Sequence, residues 1–274
     1  MNVRRSSPFG RLLIALVIVV ISLVSYYGKS VFNPVTKENQ HIDLSVDQEI
    51  ALGLQAAPEM AAQHGGLDPD PRVQQRAKQI GDRLVSRTKA GSTPYKFAFH
   101  VLNDDRTINA FALPGGQVFI TRALYDRLET PGQLAGVLGH EIGHVVARHS
   151  AEHLAKAQLT QGLSGAAAIA MYDPDNPNSQ RNAAIAMAVG QLVNLRYGRQ
   201  DELEADRLGV RFTAEAGYDP RAMIRVMEIL EQASQGRSQP EFFSTHPNPE
   251  NRKGRIQAAI AERFPDGVPK GLQE

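Results

Sequence analysis

"VLGHEIGHVVARH", residues 137–149, holds His140 and His144 four residues apart, with Glu141 directly after the first. Two readings compete: a catalytic metal site, or ordinary polar residues on an amphipathic helix. On a helix, positions i and i+4 share a face, so the two imidazoles project side by side. Their nitrogens can then reach one Zn²⁺ at about 2.0–2.1 Å. Glu141 is turned by about 100° from His140 and can flank the metal without binding it, as a base toward water. Val137, Leu138, Ile142, Val145 and Val146 make the stretch largely apolar, and polar groups buried there need partners. Gly139 and Gly143 each cost about 1 kcal/mol against alanine in a helix. Their use points to another backbone, or a substrate, passing close. The periodicity predicts one long helix from about residue 131 to beyond 153. His149 and His153 fall off its metal face and read as structural or solvated.

Two histidines leave the site incomplete. A local third ligand would need Gly at 147 and His at 150, but the chain has Ala147 and Ser150. "YGRQDELEADRLG", residues 197–209, offers the missing group. On a helix Glu202 and Asp206 share a face, while Glu204 points about 200° away from Glu202. Glu202 can ligate, and Asp206 can accept the other N–H of a ligating histidine and fix its tautomer. Ala205 is small enough to let this helix pack tightly against the first. Alone, the stretch reads as an acidic, solvent-exposed helix; joined to His140 and His144, the metal reading prevails. The chain has no Cys, which removes thiolate ligands, thiol nucleophiles and disulfides together. Lys+Arg number 30 and Asp+Glu 29. With no basic block interleaved with aromatics, nucleic acid is not an expected partner.

The combined motifs resemble the membrane-associated zinc metallopeptidases that include the CAAX prenyl protease, HtpX-type heat-shock proteases and the β-barrel assembly-enhancing protease. The matching stretches are "HEIGH", the E-x-x-A-D of Glu202 to Asp206 with Arg199 before it, "NAFALPGG" and "STHPNPENR". They spread from about residue 45 to 260, and their combination is far more specific than HExxH alone. Gly198 departs from the serine usual before the arginine. The resemblance implies an α+β, predominantly helical, gluzincin-type zincin domain with a small β-sheet, holding one Zn²⁺ per chain. With no multi-span helices and no C-terminal repeat domain in the sequence, it points to the soluble-domain branch seen in bacterial periplasm and mitochondria. It also implies that Ala110, Phe111, Ala112, Leu113, Pro114, Gly115 and Gly116 supply an edge strand above the cleft. An extended peptide can add to such an edge through backbone hydrogen bonds, which suits unfolded or misassembled protein substrates. An ordinary core hairpin is the plainer reading, and both can hold at once.

His246, in "FFSTHPNPENR", sits on a proline-braced loop. It is a candidate for a transition-state hydrogen-bond donor, or for a fourth ligand that keeps the enzyme latent. Arg252 and Tyr197 are weaker candidates for oxyanion or substrate contacts.

The N-terminus carries Arg4, Arg5 and Arg11, then an apolar run from Leu12 to Val24 and Tyr26–Tyr27. A basic flank, an apolar stretch and an aromatic belt describe a membrane segment. A cleaved signal is the rival, although no small-x-small site follows the run. The expected organisation is an anchor or signal over residues 1–28, a linker over 29–44 and a metallopeptidase domain over 45–274. Arginines in the cytoplasm would place that domain in the periplasm, on a single-pass anchor in the bacterial inner membrane. Helices are expected from "LSVDQEIALGLQAAPEMAAQHGG", "DPRVQQRAKQIGDRLVSRTKAG" and near 182–195, 200–216 and 220–233; "YKFAFHVLN" reads as a strand and "TINAFALPGGQVFIT" as a hairpin. The leading function is a zinc endopeptidase of protein quality control outside the cytoplasm. Its rival is a chaperone-like holdase or assembly factor using the same cleft with proteolysis repressed. The oligomeric state is left open.

Overall fold

Local signals in the chain account for most of the helices. The computed structural model describes residues 8–171, 198–235, 240–247 and 251–274. The expected helix at 182–195 and Tyr197 therefore lie outside the described residues. The described residues fall into two units, one within 8–43 and 151–171 and one within 44–150 and 198–274.

In the first unit, α1 (Pro8–Tyr27) is long and apolar enough to cross a membrane. Leu12, Leu13, Ile14, Leu16 and Ile21 on it are all exposed. Two short strands follow, β1 (Val31–Phe32) and β2 (Asn39–Gln40), paired antiparallel.

The second unit opens with α2 (Val46–Gln63), whose Ser45 and Gln48 form a reciprocal capping box. Gly65 and Gly66, both at positive φ, end it as expected. In α3 (Pro71–Arg87), Val73, Ala77, Ile80 and Leu84 are buried, matching the helical spacing in the sequence. β3 (Ala98–Leu102), β4 (Ala110–Ala112) and β5 (Gln117–Thr121) make a sheet in the order β3-β5-β4. β4 and β5 form the expected hairpin, turning at Gly115 (φ 80°) and Gly116 (φ 110°). β3 joins in parallel, so β4 is the sheet's edge on the far side.

α4 (Arg122–Tyr125) leads to α5 (Pro131–Val146), which carries the histidines and is buried from Gly132 to its end. The expected single helix to beyond 153 is broken. α5 stops at Val146, Arg148 takes a left-handed φ of 60°, and α6 (His149–Met171) starts anew. An Arg in this region is uncommon. It is stabilised by a buried ion pair from Arg148 to Glu49 and a 2.9 Å bond from Arg148 to the Leu44 carbonyl.

Three further pieces complete the unit: α7 (Arg199–Glu215), α8 (Ala222–Ser234) and the pair α9 (Phe242–Thr245) and α10 (Arg252–Arg263). α5 and α7 pack closely because both present small residues. A Cβ on Gly143 would stand 3.0 Å from the Ala205 carbonyl oxygen, and one on Gly209 would stand 3.2 Å from the His140 nitrogen. The close-passing backbone anticipated from Gly139 and Gly143 is that of α7.

Candidate metal centre

α5 delivers His140 and His144, α7 delivers Glu202 one turn from its start, and the end of α9 delivers His246. All four are buried, and one potential ligand atom from each lies within 4.8 Å of the others. His140 Nε2 is 3.0 Å from His144 Nε2 and 3.5 Å from both Glu202 Oε2 and His246 Nδ1. Glu202 Oε1 is 3.4 Å from His144 Nε2 and 3.0 Å from His246 Nδ1. A tetrahedron with bonds of about 2.0–2.1 Å has edges of about 3.3–3.4 Å, so this spacing suits a zinc ion. Imidazole nitrogens and a carboxylate are also the donors zinc takes when no thiolate is present.

The electrostatics agree with a cation site. Burial alone would raise the Glu202 carboxyl, but His246, His144 and His140 hold it well below the usual carboxylate range. Burial depresses His144 well below its ordinary value, leaving it the neutral ring that a metal needs. Burial also works against charge on His140, yet Asp206 and Glu202 lift it to about 9. An ionised carboxylate and a neutral imidazole placed this way turn lone pairs toward one point, where a cation can be held.

Glu141 is fully buried, and neither of its carboxylate oxygens has a hydrogen-bond partner. Its Oε1 stands 3.6 Å from His246 Nε2. Burial raises its proton affinity, opposed by His246 and His140. A buried, unpartnered carboxylate is costly, and a raised proton affinity is what a general base requires.

Asp206 Oδ1 lies 3.0 Å from His140 Nδ1, on the side away from Glu202. Arg252 grips Asp206 with two bonds of 2.7 and 2.8 Å and approaches Glu202 Oε2 at 3.2 Å. Arg252 thus stands at the rim of the cluster, bracing two acidic side chains, with its Nη2 also 3.5 Å from His140 Nε2. Its charge holds Asp206 low against the burial that would raise it.

The sheet edge meets the cluster at Ala110. On the β5 side the Asn109 carbonyl accepts from Thr121 N–H, and Leu113 N–H donates to the Gln117 carbonyl. By alternation the backbone groups of Ala110 and Ala112 face the outer edge. His246 Nε2 is 3.2 Å from the Ala110 carbonyl, a group that only accepts, while Nδ1 faces Glu202 and His140. α9 also binds this segment: Phe242 N–H donates to the Ile108 carbonyl, and Asn109 Nδ2 donates to Glu241 at 3.2 Å.

Sequence reasoning missed His149. It is buried, with Nδ1 only 2.9 Å from His144 Nδ1 and Nε2 3.0 Å from Glu204 Oε2. On a continuous helix it would lie about 140° around from His144; the turn at Arg148 swings it back. Glu204 points away from the cluster as expected, but reaches this second histidine.

The chain is similar to known peptidases. Residues 71–260 match the model of peptidase family M48. The β-barrel assembly-enhancing protease of Escherichia coli K12 is 36% identical over 220 residues, covering 76% of this chain. A putative β-barrel assembly-enhancing protease of Vibrio cholerae is 32% identical over 215 residues, again 76% of the chain. The chain spans 43% of the length of each of these relatives. The mitochondrial metalloendopeptidase OMA1 of Schizosaccharomyces pombe is 29% identical over 242 residues, 87% of this chain and 69% of its own length. With the family match covering most of the chain and a zinc-compatible donor cluster inside it, the chain belongs to peptidase family M48, a family of zinc metallopeptidases.

Proposed function

We propose that this chain is a membrane-anchored zinc endopeptidase that cleaves misfolded or misassembled proteins outside the cytoplasm. The observation that carries the reading is Glu141, a buried carboxylate without a hydrogen-bond partner beside four converging donors. His140, His144 and Glu202 would hold the zinc. When bound, the ion supplies a Lewis acid that acidifies water toward a pKa of about 7 and polarises a peptide carbonyl. Glu141 accepts the proton from the attacking water and returns it to the leaving amine as the C–N bond breaks. Asp206 holds His140 in the tautomer whose Nε2 faces the site. The Ala110–Ala112 edge, whose Ala110 carbonyl faces His246 in this structure, would align the substrate backbone once His246 departs, which favours extended, unfolded chains over any side-chain sequence.

The holdase reading draws on one observation, the position of His246 Nδ1 among the other donors. As a fourth ligand it would close the site, as in structural zinc sites. We favour this ligand role, with the resting enzyme latent and opened by departure of His246.

The test pairs metal analysis with digestion of casein by the full chain in detergent. Wild type should carry about one zinc, by the ligand count of a single site. His140→Ala and Glu202→Ala should lose it, while Glu141→Gln should keep zinc and lose cleavage. Normal zinc in Glu202→Ala would reject the ligand set. Cleavage by Glu141→Gln within a few-fold of wild type would reject the base. A zinc-loaded wild type that binds casein without cutting it would move the assignment to the holdase.

A further inference from the structure

His144 presents Nε2 to the metal cluster, 3.0 Å from His140 Nε2 and 3.4 Å from Glu202 Oε1. A neutral imidazole that offers a lone pair at Nε2 carries its proton on Nδ1. That N–H points away from the cluster and needs an acceptor. Beside His140 Nδ1 stands the Asp206 carboxylate at 3.0 Å, an ion-pair distance. Behind His144 stands another imidazole, with the two Nδ1 atoms 2.9 Å apart.

Two Nδ1 atoms at that distance form a hydrogen bond only if one carries the proton and the other is bare. His149 must therefore keep Nδ1 as an acceptor and hold its own proton on Nε2. Glu204 Oε2, 3.0 Å from His149 Nε2, is an acceptor and secures this tautomer. The two rings stand at 70° with centroids 4.9 Å apart, an edge-on approach that allows nitrogen to face nitrogen. His149 is 1% exposed, so water cannot readily replace either partner.

We infer that His149 and Glu204 are positioning residues for the zinc ligand His144: Glu204 fixes the tautomer of His149, and His149 fixes the tautomer and ring plane of His144. The two histidine ligands are then held by two carboxylates from α7, one directly and one through an intervening imidazole. The inference rests on the zinc reading of the cluster. Groups in this position commonly contribute about 10–100-fold to metal affinity.

The test measures zinc affinity of the full chain in detergent by competition with a chromophoric chelator. His149→Phe keeps a ring and removes both nitrogens; affinity should fall about 10–100-fold. His149→Asn places an amide oxygen near the former Nδ1 and should recover most of the loss. Equal losses in both variants would make His149 a packing residue and overturn the inference, as would unchanged affinity in His149→Phe. Should His149→Phe fail to fold, Glu204 carries the same test from a less buried position. Glu204→Gln, which still accepts, should stay within a few-fold of wild type, while Glu204→Leu should lose about tenfold. Identical affinities in those two would overturn the inference. Ring ¹⁵N shifts of the zinc-loaded chain supply a second readout, with His149 expected as the Nε2–H tautomer and the Nδ1–H form refuting it. A wild type that binds no zinc would sink the metal reading itself; normal zinc binding indifferent to His149 and Glu204 would sink only this inference.

Discussion

Arg148 holds a backbone conformation that costs an L-residue about 1–2 kcal/mol, and it does so in the turn that follows the two histidines of α5. Its guanidinium lies against Glu49, which is 1% exposed and whose carboxyl burial pushes up against the pull of Arg148. Arg148→Gly should relax the backbone yet destabilise the fold, because it strands a buried carboxylate; breaking such a pair costs about 3–5 kcal/mol. Chemical denaturation should show that loss, with Glu49→Gln added to Arg148→Gly recovering part of it. A second residue-scale test concerns Asp104, which accepts from the backbone of Thr107 and Arg106 and from His64. Burial would raise its carboxyl, but these bonds hold it well below the usual range. A depressed carboxylate stabilises the fold above its unfolded value of about 3.9 and loses that contribution as pH falls toward the folded value. Asp104→Asn should therefore lower Tm at pH 7, with the gap to wild type narrowing below about pH 4. At this scale the sequence was readable wherever spacing on a regular helix decides position. Four-residue spacing brings His140 beside His144, and Glu202 beside Asp206. The sequence read His149 only as structural or solvated; its contact with His144 depends on one non-glycine residue at positive φ, which no residue type announces.

Helices α5 and α7 are the elements on which the donor cluster depends, and glycine decides how near they come. Gly143→Ala would put a methyl 3.0 Å from the Ala205 carbonyl oxygen, a backbone atom with little freedom to yield. The gain in helix propensity is about 1 kcal/mol, and overpacking of a tight core costs about 1–3 kcal/mol. We expect net destabilisation together with weaker zinc binding, as Glu202 is pushed outward on α7. Gly165→Ala on α6 meets nothing within 4 Å and should be neutral or raise stability by up to about 1 kcal/mol. Thermal melts of the two variants should move in opposite directions. The periodic helices α2, α3, α7 and α8 were legible because one buried face repeats along each. The β4–β5 hairpin was legible from Pro114-Gly115-Gly116. The parallel pairing of β3 with β5 was not, since it joins segments separated by the whole of β4 and leaves no local mark.

For the whole molecule, α1 supplies the proposed attachment. Its apolar side chains are exposed over nearly the full length of Phe9–Tyr27, an arrangement stable only when something apolar surrounds them. The chain should sediment with membranes, resist carbonate and dissolve in detergent; extraction by carbonate would reject the anchor, and a mature N-terminus beyond Val24 would replace it with a cleaved signal. With the basic flank in the cytoplasm, protease added to Gram-negative spheroplasts should digest residues beyond Lys29. Protection until lysis would reverse that orientation. The same long-range view changes what the Arg148 turn means in time. The turn is held by Glu49 and Leu44, which precede it by 99 and 104 residues. His246 lies another 106 residues beyond His140. Contacts of such separation form late, after local helices, because the intervening chain must first be closed into a loop. Helix formation and metal capture should consequently be separate kinetic events: on refolding from urea, far-ultraviolet circular dichroism recovers early and tight zinc uptake lags behind it. A newly made chain would pass through a helical, metal-poor form, unable to cut its neighbours until its distant parts have met.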